Sequence, residues 1–155
     1  MTTIRTLMHA PVVSVSAEAS IQEVARRMRQ ESVGVVLVVE KDRVVGIFSE
    51  RDLLTRVVAE GLDPIETRAE QVATREVLSV PLDARIRDCA ALLRERGVRH
   101  LPVIEDGRPA GIISARDFFD AIAGGFEGII ENVQYREQLR ENTDPYDHLG
   151  GSYGR

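Results

Sequence analysis

Tryptophan is absent from the 155-residue chain, aromatic residues make up only 5% of it, and there is a single cysteine. An interior so poor in rings must be filled by Val, Ile, Leu and Ala, the aliphatic residues of short strands and helices. One thiol, Cys89, excludes an internal disulfide and cannot by itself build a structural zinc site. It sits where a helical pattern asks for an apolar side chain, so it is expected in the core. Positive charge is also short: 20 Lys and Arg face 25 Asp and Glu, a net charge of −5. Such a chain repels phosphate backbones, and nucleic acid is not an expected partner. The longest apolar run, VGVVLVV at 33–39, is far below membrane-spanning length. The start, MTTIRTLMHAPVV, lacks the cationic head and apolar block of a signal peptide. A cytoplasmic protein without a membrane partner is expected. No Ser-His-Asp or Cys-His set, paired-carboxylate cleft or metal cluster can be assembled from these residues, and glycine-rich phosphate loops are missing. Enzymatic activity, a metal site and a required cofactor are therefore not expected.

What the chain does contain is itself, twice. An offset of 65 lays residues 12–59 over 77–124 without a gap, aligning GIFSERD at 46–52 with GIISARD at 111–117. Val15 then pairs with Val80, Ile21 with Ile86, Val38 with Val103 and Arg43 with Arg108. Two copies are too few for an open solenoid, whose faces need three or more to be covered.

Periodicity gives the elements of each copy. Ile21, Val24, Ala25 and Met28 form one apolar stripe at helical spacing, with Ser20 and Glu23 as a capping box in front. In the second copy the stripe is Ile86, Cys89, Ala90 and Leu93, but Arg85 holds the cap position, leaving Asp83 as an alternative start. A strand-length apolar run follows, then Lys41-Asp42 or Asp106-Gly107, then a second strand. Asp-Gly between two such runs signals a tight hairpin. Pro102 and Pro109 cannot donate to a ladder and predict irregular or edge positions. Between the copies LLTRVVAE reads as a helix, and RAEQVAT as a short helical lead-in that mirrors TIRTLMH. Beyond the second copy a helix with Phe126, Ile129, Ile130 and Val133 at helical spacing is expected, broken or bent at Gly124 and Gly125. The predicted division is a first repeat with its linker helix over 1–67, a second repeat over 68–123, a C-terminal helix over 124–141 and a disordered tail over 142–155.

The heptapeptide ends a strand and opens a helix. Ser49 and Ser114 fall at the N-cap and Asp52 and Asp117 three residues later, which taken alone is a capping arrangement. Arg51 and Arg116 do not fit that reading, because a cation at a helix start is unfavourable unless an anion is present. A helix N-terminus with an arginine suits a phosphate, and a carboxylate beside it can accept two hydrogen bonds from a vicinal diol. Gly46 and Gly111 either remove side chains where a ligand meets the backbone or mark a bulge. Phosphate, diol and flat contact surface together suggest a nucleotide. His9 and His148 have no evident partners, whereas His100, beside Arg99, could meet a phosphate or serve as a surface or satisfied polar contact.

The order of elements, the GIFSERD and GIISARD pair and the stretch VRHLPVIEDGRPAGII resemble the cystathionine β-synthase (CBS) domain, present as a tandem pair over residues 1–123. The resemblance implies an α+β fold in which two tandem β-α-β-β-α repeats pack as one pseudo-symmetric module, commonly a homodimer. It implies no enzymatic activity and no required cofactor, but a regulatory adenosine-containing ligand in clefts between the repeats. AMP is foremost, with ADP, ATP, S-adenosylmethionine or NAD-type nucleotides as relatives of it. Carried over residue by residue, Asp52 and Asp117 resemble the ribose-binding acids, Ser49 and Ser114 the hydroxyls near ribose and phosphate, and Arg51 and Arg116 the phosphate partners. Ser14 and Ser79 match ligand-contacting positions of the first strand, and the backbone and side chains over 33–35 and from Val98 to His100 match the adenine pocket. The expected function is an adenine-nucleotide sensor passing occupancy to an effector protein through repeat or dimer packing. The rival is a structural or interaction module with degenerate clefts. The first copy has VGVVLVV where the second has VRHLPVI, and lacks the Arg, His and Pro, so equivalence of the two corners does not follow from the repeat.

Overall fold

The computed structural model describes residues 3–125 and 127. Residues as far as Asp117 belong to one compact unit and those from Phe118 to a second. The first unit holds two versions of the same arrangement, in keeping with the expected α+β class.

In the first repeat, β1 (Ser14–Ser16) runs parallel to β2 (Val35–Glu40), which pairs antiparallel with β3 (Arg43–Ser49). Helix α1 (Ile21–Glu31) connects β1 to β2. Its predicted capping box is present: the Ser20 hydroxyl accepts from the Glu23 N–H, and the Glu23 carboxylate accepts from the Ser20 N–H at 2.8 Å. The α1 stripe of Ile21, Val24 and Met28 is buried in a core with Val36, Val38 and Phe48 of the sheet. Four consecutive buried residues open β2, which explains why its sequence is continuously apolar rather than alternating.

In the second repeat, α4 (Ile86–Arg96) is followed by β4 (His100–Glu105) and β5 (Arg108–Ser114), again antiparallel. Cys89 is fully buried on α4, as its place in the stripe predicts. The hairpin register shifts between Val38 and Val39 in one repeat and between Val103 and Ile104 in the other, so even the bulge is duplicated. Both turns take positive φ at their two central residues, 49° and 63° at Lys41-Asp42 and 51° and 78° at Asp106-Gly107.

The repeats differ where their sequences do. Val80 makes an isolated parallel bridge to Val103 where β1 has a strand. In the first repeat Leu37 donates to the Val13 carbonyl and Ala17 to Val39. The residue corresponding to Leu37 is Pro102, which has no N–H, and only the bonds joining Val80 to Pro102 and Ile104 remain. As expected, Pro102 sits where pairing is irregular: β4 belongs to a two-stranded sheet with β5, and its other side carries only the isolated bridge to Val80. Helix α4 has Arg85 as its N-cap, with no side-chain bond, and Asp83 lies in a turn before it, so Asp83 does not start the helix.

Each repeat is preceded by a lead-in turn, Ile4–Thr6 in one and α3 (Ala69–Val72) in the other, anchored by the fully buried Ile4 and Ala69. The linker begins with α2 (Glu50–Asp52) and continues over Leu53–Val58 as π-helix rather than the α-helix expected, with Ala59 donating to the Leu54 carbonyl five residues back. After β5 the backbone is helical from 115 to 125, so Gly124 is itself helical. Most of the predicted C-terminal helix and all of the tail lie outside the described residues. No described helix is long and apolar enough to cross a membrane.

Candidate functional site

The two heptapeptides build nearly identical corners. Ser49 is the N-cap of α2, its hydroxyl accepting from the Asp52 N–H at 3.2 Å, while Asp52 Oδ2 accepts from the Ser49 N–H at 2.9 Å and its hydroxyl at 3.0 Å. Ser114 and Asp117 repeat this at 3.4, 2.6 and 2.9 Å. In both corners one carboxylate oxygen is committed to capping and the other, Oδ1, is directed elsewhere.

What Oδ1 meets separates the corners. Asp52 Oδ1 lies 3.6 Å from Arg56 Nε, a loose ion pair one helical turn away. Asp117 Oδ1 lies 2.8 Å from Nε2 of His9, a residue expected to have no partner. A carboxylate only accepts, so Nε2 carries the proton in this bond. Burial raises the affinity of the Asp117 carboxyl for protons. The Ser114 N–H, the His9 ring and the Ser114 hydroxyl outweigh it and hold the group below its ordinary value of 3.8.

A cleft of about 260 Å³ opens on the Asp52 corner. From the first repeat it takes Gly34, Val35, Ile47 and the run from Ser49 to Asp52, and from the second the run from Gly97 to His100. Gly97 ends α4 with a φ of 62°, turning the chain so that Val98, Arg99 and His100 line the cavity. Val35, Ile47 and Val98 provide apolar wall, and the charged residues of the lining are Glu50, Arg51, Asp52 and Arg99. His100 is held below its ordinary value of 6.5, chiefly because burial disfavours its charge; Asp117 and Glu50 pull the other way and Arg99 adds to the lowering. At neutral pH the ring is uncharged, so it offers hydrogen bonding and a flat face rather than a cation for phosphate.

Of the residues expected at a site, the cleft therefore gathers Ser49, Arg51, Asp52, Val98 and His100. Ser114, Arg116 and Asp117 form the other corner, and Ser14 and Ser79 lie outside this lining. Gly46 and Gly111 face the lead-in segments. A Cβ on Gly46 would stand 3.1 Å from the Ala73 Cβ, and one on Gly111 would stand 2.9 Å from the His9 carbonyl oxygen. Sequence reasoning missed Glu50, whose carboxyl packs over Gly34, and Ile47. It also missed the Arg56 link to Asp52. The i,i+4 spacing of that pair was a readable signal.

Residues 4–59 and 69–124 each match the CBS domain family. The chain is a tandem CBS domain protein. This CBS pair is 35% identical over 108 residues to the uncharacterized protein MK0525 of Methanopyrus kandleri, a match covering 68% of this chain and 55% of that one. It is 31% identical over 118 residues to hypoxic response protein 1 of Mycobacterium tuberculosis, covering 76% and 82%. Among solved structures, the CBS domain protein PAE2072 from Pyrobaculum aerophilum, complexed with AMP, superposes with a TM-score of 0.68 at 30% identity, covering 75% and 89%. A ligand-binding regulatory module is the reading this family membership supports.

Proposed function

We propose that this CBS pair is an adenine-nucleotide sensor, with AMP as its foremost ligand and the Asp52 cleft as its principal site. The observation that carries the reading is the convergence, from both repeats, of a carboxylate, two guanidinium groups and an apolar wall on one cavity. Asp52 would take the ribose diol through its outer oxygen, Arg51 and Arg99 the phosphate, and the wall of Val35, Ile47 and Val98 the base. The AMP bound to PAE2072 supports this ligand class. Because the cleft joins the repeats, a ligand that fits it better in one packing shifts the population toward that packing. Occupancy would then reach an effector protein.

Isothermal titration and thermal shift with AMP, ADP, ATP, S-adenosylmethionine and NADH test the reading. At one hundred times Kd a ligand of the native state adds about 2.7 kcal/mol of stability, a shift of several degrees. Asp52→Ala should weaken AMP at least about tenfold, the loss of a charge-assisted contact. No response to any of the five compounds overturns the proposal.

A specific observation also favours self-association. Leu54, Val58, Leu62 and Ile65 of the linker are 62, 62, 41 and 60% exposed, four large apolar side chains left in water within twelve residues. Homodimerisation through this face predicts that Leu54→Glu shifts the molar mass measured by light scattering from dimer to monomer.

A further inference from the structure

The two corners share their Ser-x-x-Asp frame and also the backbone that approaches it. His9 and Ile112 exchange N–H to carbonyl bonds at 2.9 and 3.0 Å, and Ile47 and Thr74 do the same at 3.0 and 2.9 Å. His9 and Thr74 are equivalent under the offset of 65. Each is therefore clamped by main-chain bonds beside the acid of the other repeat, and the side chain differs. The imidazole reaches Asp117 Oδ1 at 2.8 Å. Among the described residues Thr74 makes no hydrogen bond to Asp52, whose Oδ1 has only Arg56 at 3.6 Å.

We propose that His9 is a built-in competitor for the Asp117 corner, so that the chain carries one ready nucleotide corner at Asp52 and one, at Asp117, held shut by the lead-in segment of the first repeat. The inference rests on the nucleotide reading above and adds to it an inequivalence of the two sites. Asp117 Oδ2 already accepts two bonds from Ser114, so Oδ1 is the oxygen left for a ligand hydroxyl, and the His9 ring holds it. The ring is 72% exposed and Asp117 only 11%. The blocking group can thus swing into water while the carboxylate stays in place. The block is displaceable, and a ligand at this corner pays for its hydrogen bond by breaking that of His9.

The test is AMP titration of the full chain carrying His9→Thr, which installs the residue that Thr74 places beside the Asp52 corner, with circular dichroism to verify folding. The wild type should bind one equivalent tightly and Asp52→Ala should lose it. Adding His9→Thr to Asp52→Ala should restore a site about tenfold or more tighter than in Asp52→Ala alone, and Asp117→Ala should remove it again. Two equal sites in the wild type, or no gain from His9→Thr, would overturn the competitor while leaving the sensor intact. Weaker second-site binding after His9→Thr would also overturn it, making His9 a ligand contact. Proton–nitrogen spectra of the His9 ring, recorded without nucleotide, should give the Nε2-protonated tautomer and respond to Asp117→Asn. A ring insensitive to that change overturns the contact itself. No AMP binding by any variant, with the ring still sensitive, overturns the nucleotide reading and the competitor role that depends on it.

Discussion

The carbonyl oxygen of His9 lies 2.9 Å from the point where a Cβ on Gly111 would stand, with Met8 Sδ at the same distance. A glycine is required there by the crossing of two backbones, since the His9 carbonyl accepts from Ile112 and cannot retreat without breaking that bond. Gly46 meets the equivalent residues, the Ala73 Cβ at 3.1 Å and the Thr74 carbonyl oxygen at 3.2 Å, a few tenths of an ångström more generous. Gly111→Ala should cost about 1–3 kcal/mol and Gly46→Ala less. Urea denaturation of the two variants checks the order.

Helix α4 is the one long helix of the described residues that starts without a side-chain cap. Arg85 already has the extended backbone of an N-cap, φ −83° and ψ 142°, and Asp88 stands three residues on. Arg85→Ser would recreate the arrangement found at Ser49 and Asp52. It should stabilise the chain by about 0.5–1 kcal/mol, whereas Ser20→Ala should destabilise it by about 1 kcal/mol. Thermal unfolding midpoints moving in opposite directions would bear this out.

Acid should act on Asp117. Its folded carboxyl titrates below the ordinary 3.8, so the unfolded chain takes up the proton first as pH falls. The stabilisation is fully present above that value and is lost as pH drops through it toward the folded one. Asp117→Asn should flatten stability against pH in that window, measured by denaturant midpoints between pH 5 and 2.

His100 acts in a higher window. Its ring is held below 6.5 in the folded protein, mainly by burial, so below that pH the unfolded chain binds a proton that the folded chain refuses. Stability should fall as pH drops from 6.5 and level off once the folded ring also titrates. His100→Gln should abolish this slope between pH 7 and 5 while leaving the acid limb of Asp117 in place.

The duplication made most of the fold legible. The capping box at Ser20 and Glu23, the stripe from Ile21 to Met28 and the turn at Asp106-Gly107 are local patterns with one physical solution each, and all three are present. The corner frame at Ser49 and Asp52 was equally local. What escaped sequence reasoning was long-range or depended on hydrogen-bond detail. His9 meets Asp117 across 108 residues, a contact created by the pairing of a lead-in segment with β5. The π-helical turn over Leu53–Val58 keeps the apolar spacing of an α-helix, and periodicity does not distinguish the two. The difference between VGVVLVV and VRHLPVI already set the two corners apart but did not say how they differ. The cavity at Asp52 and the histidine at Asp117 give the two acids their different surroundings.

Pro102 leaves the two halves of the duplication unequal in compliance. The strand before α1 is stitched to β2 from Val13 to Ala17, whereas the stretch before α4 is held to β4 only through Val80. Segments tied by fewer main-chain bonds open at lower free energy than the ladder beside them. Residues 77–82 should therefore exchange their amide protons with solvent well before 13–17. The stretch in which Ser79 lies can thus give way while its counterpart around Ser14 stays paired to β2, so two serines at equivalent positions differ in how firmly the fold holds them.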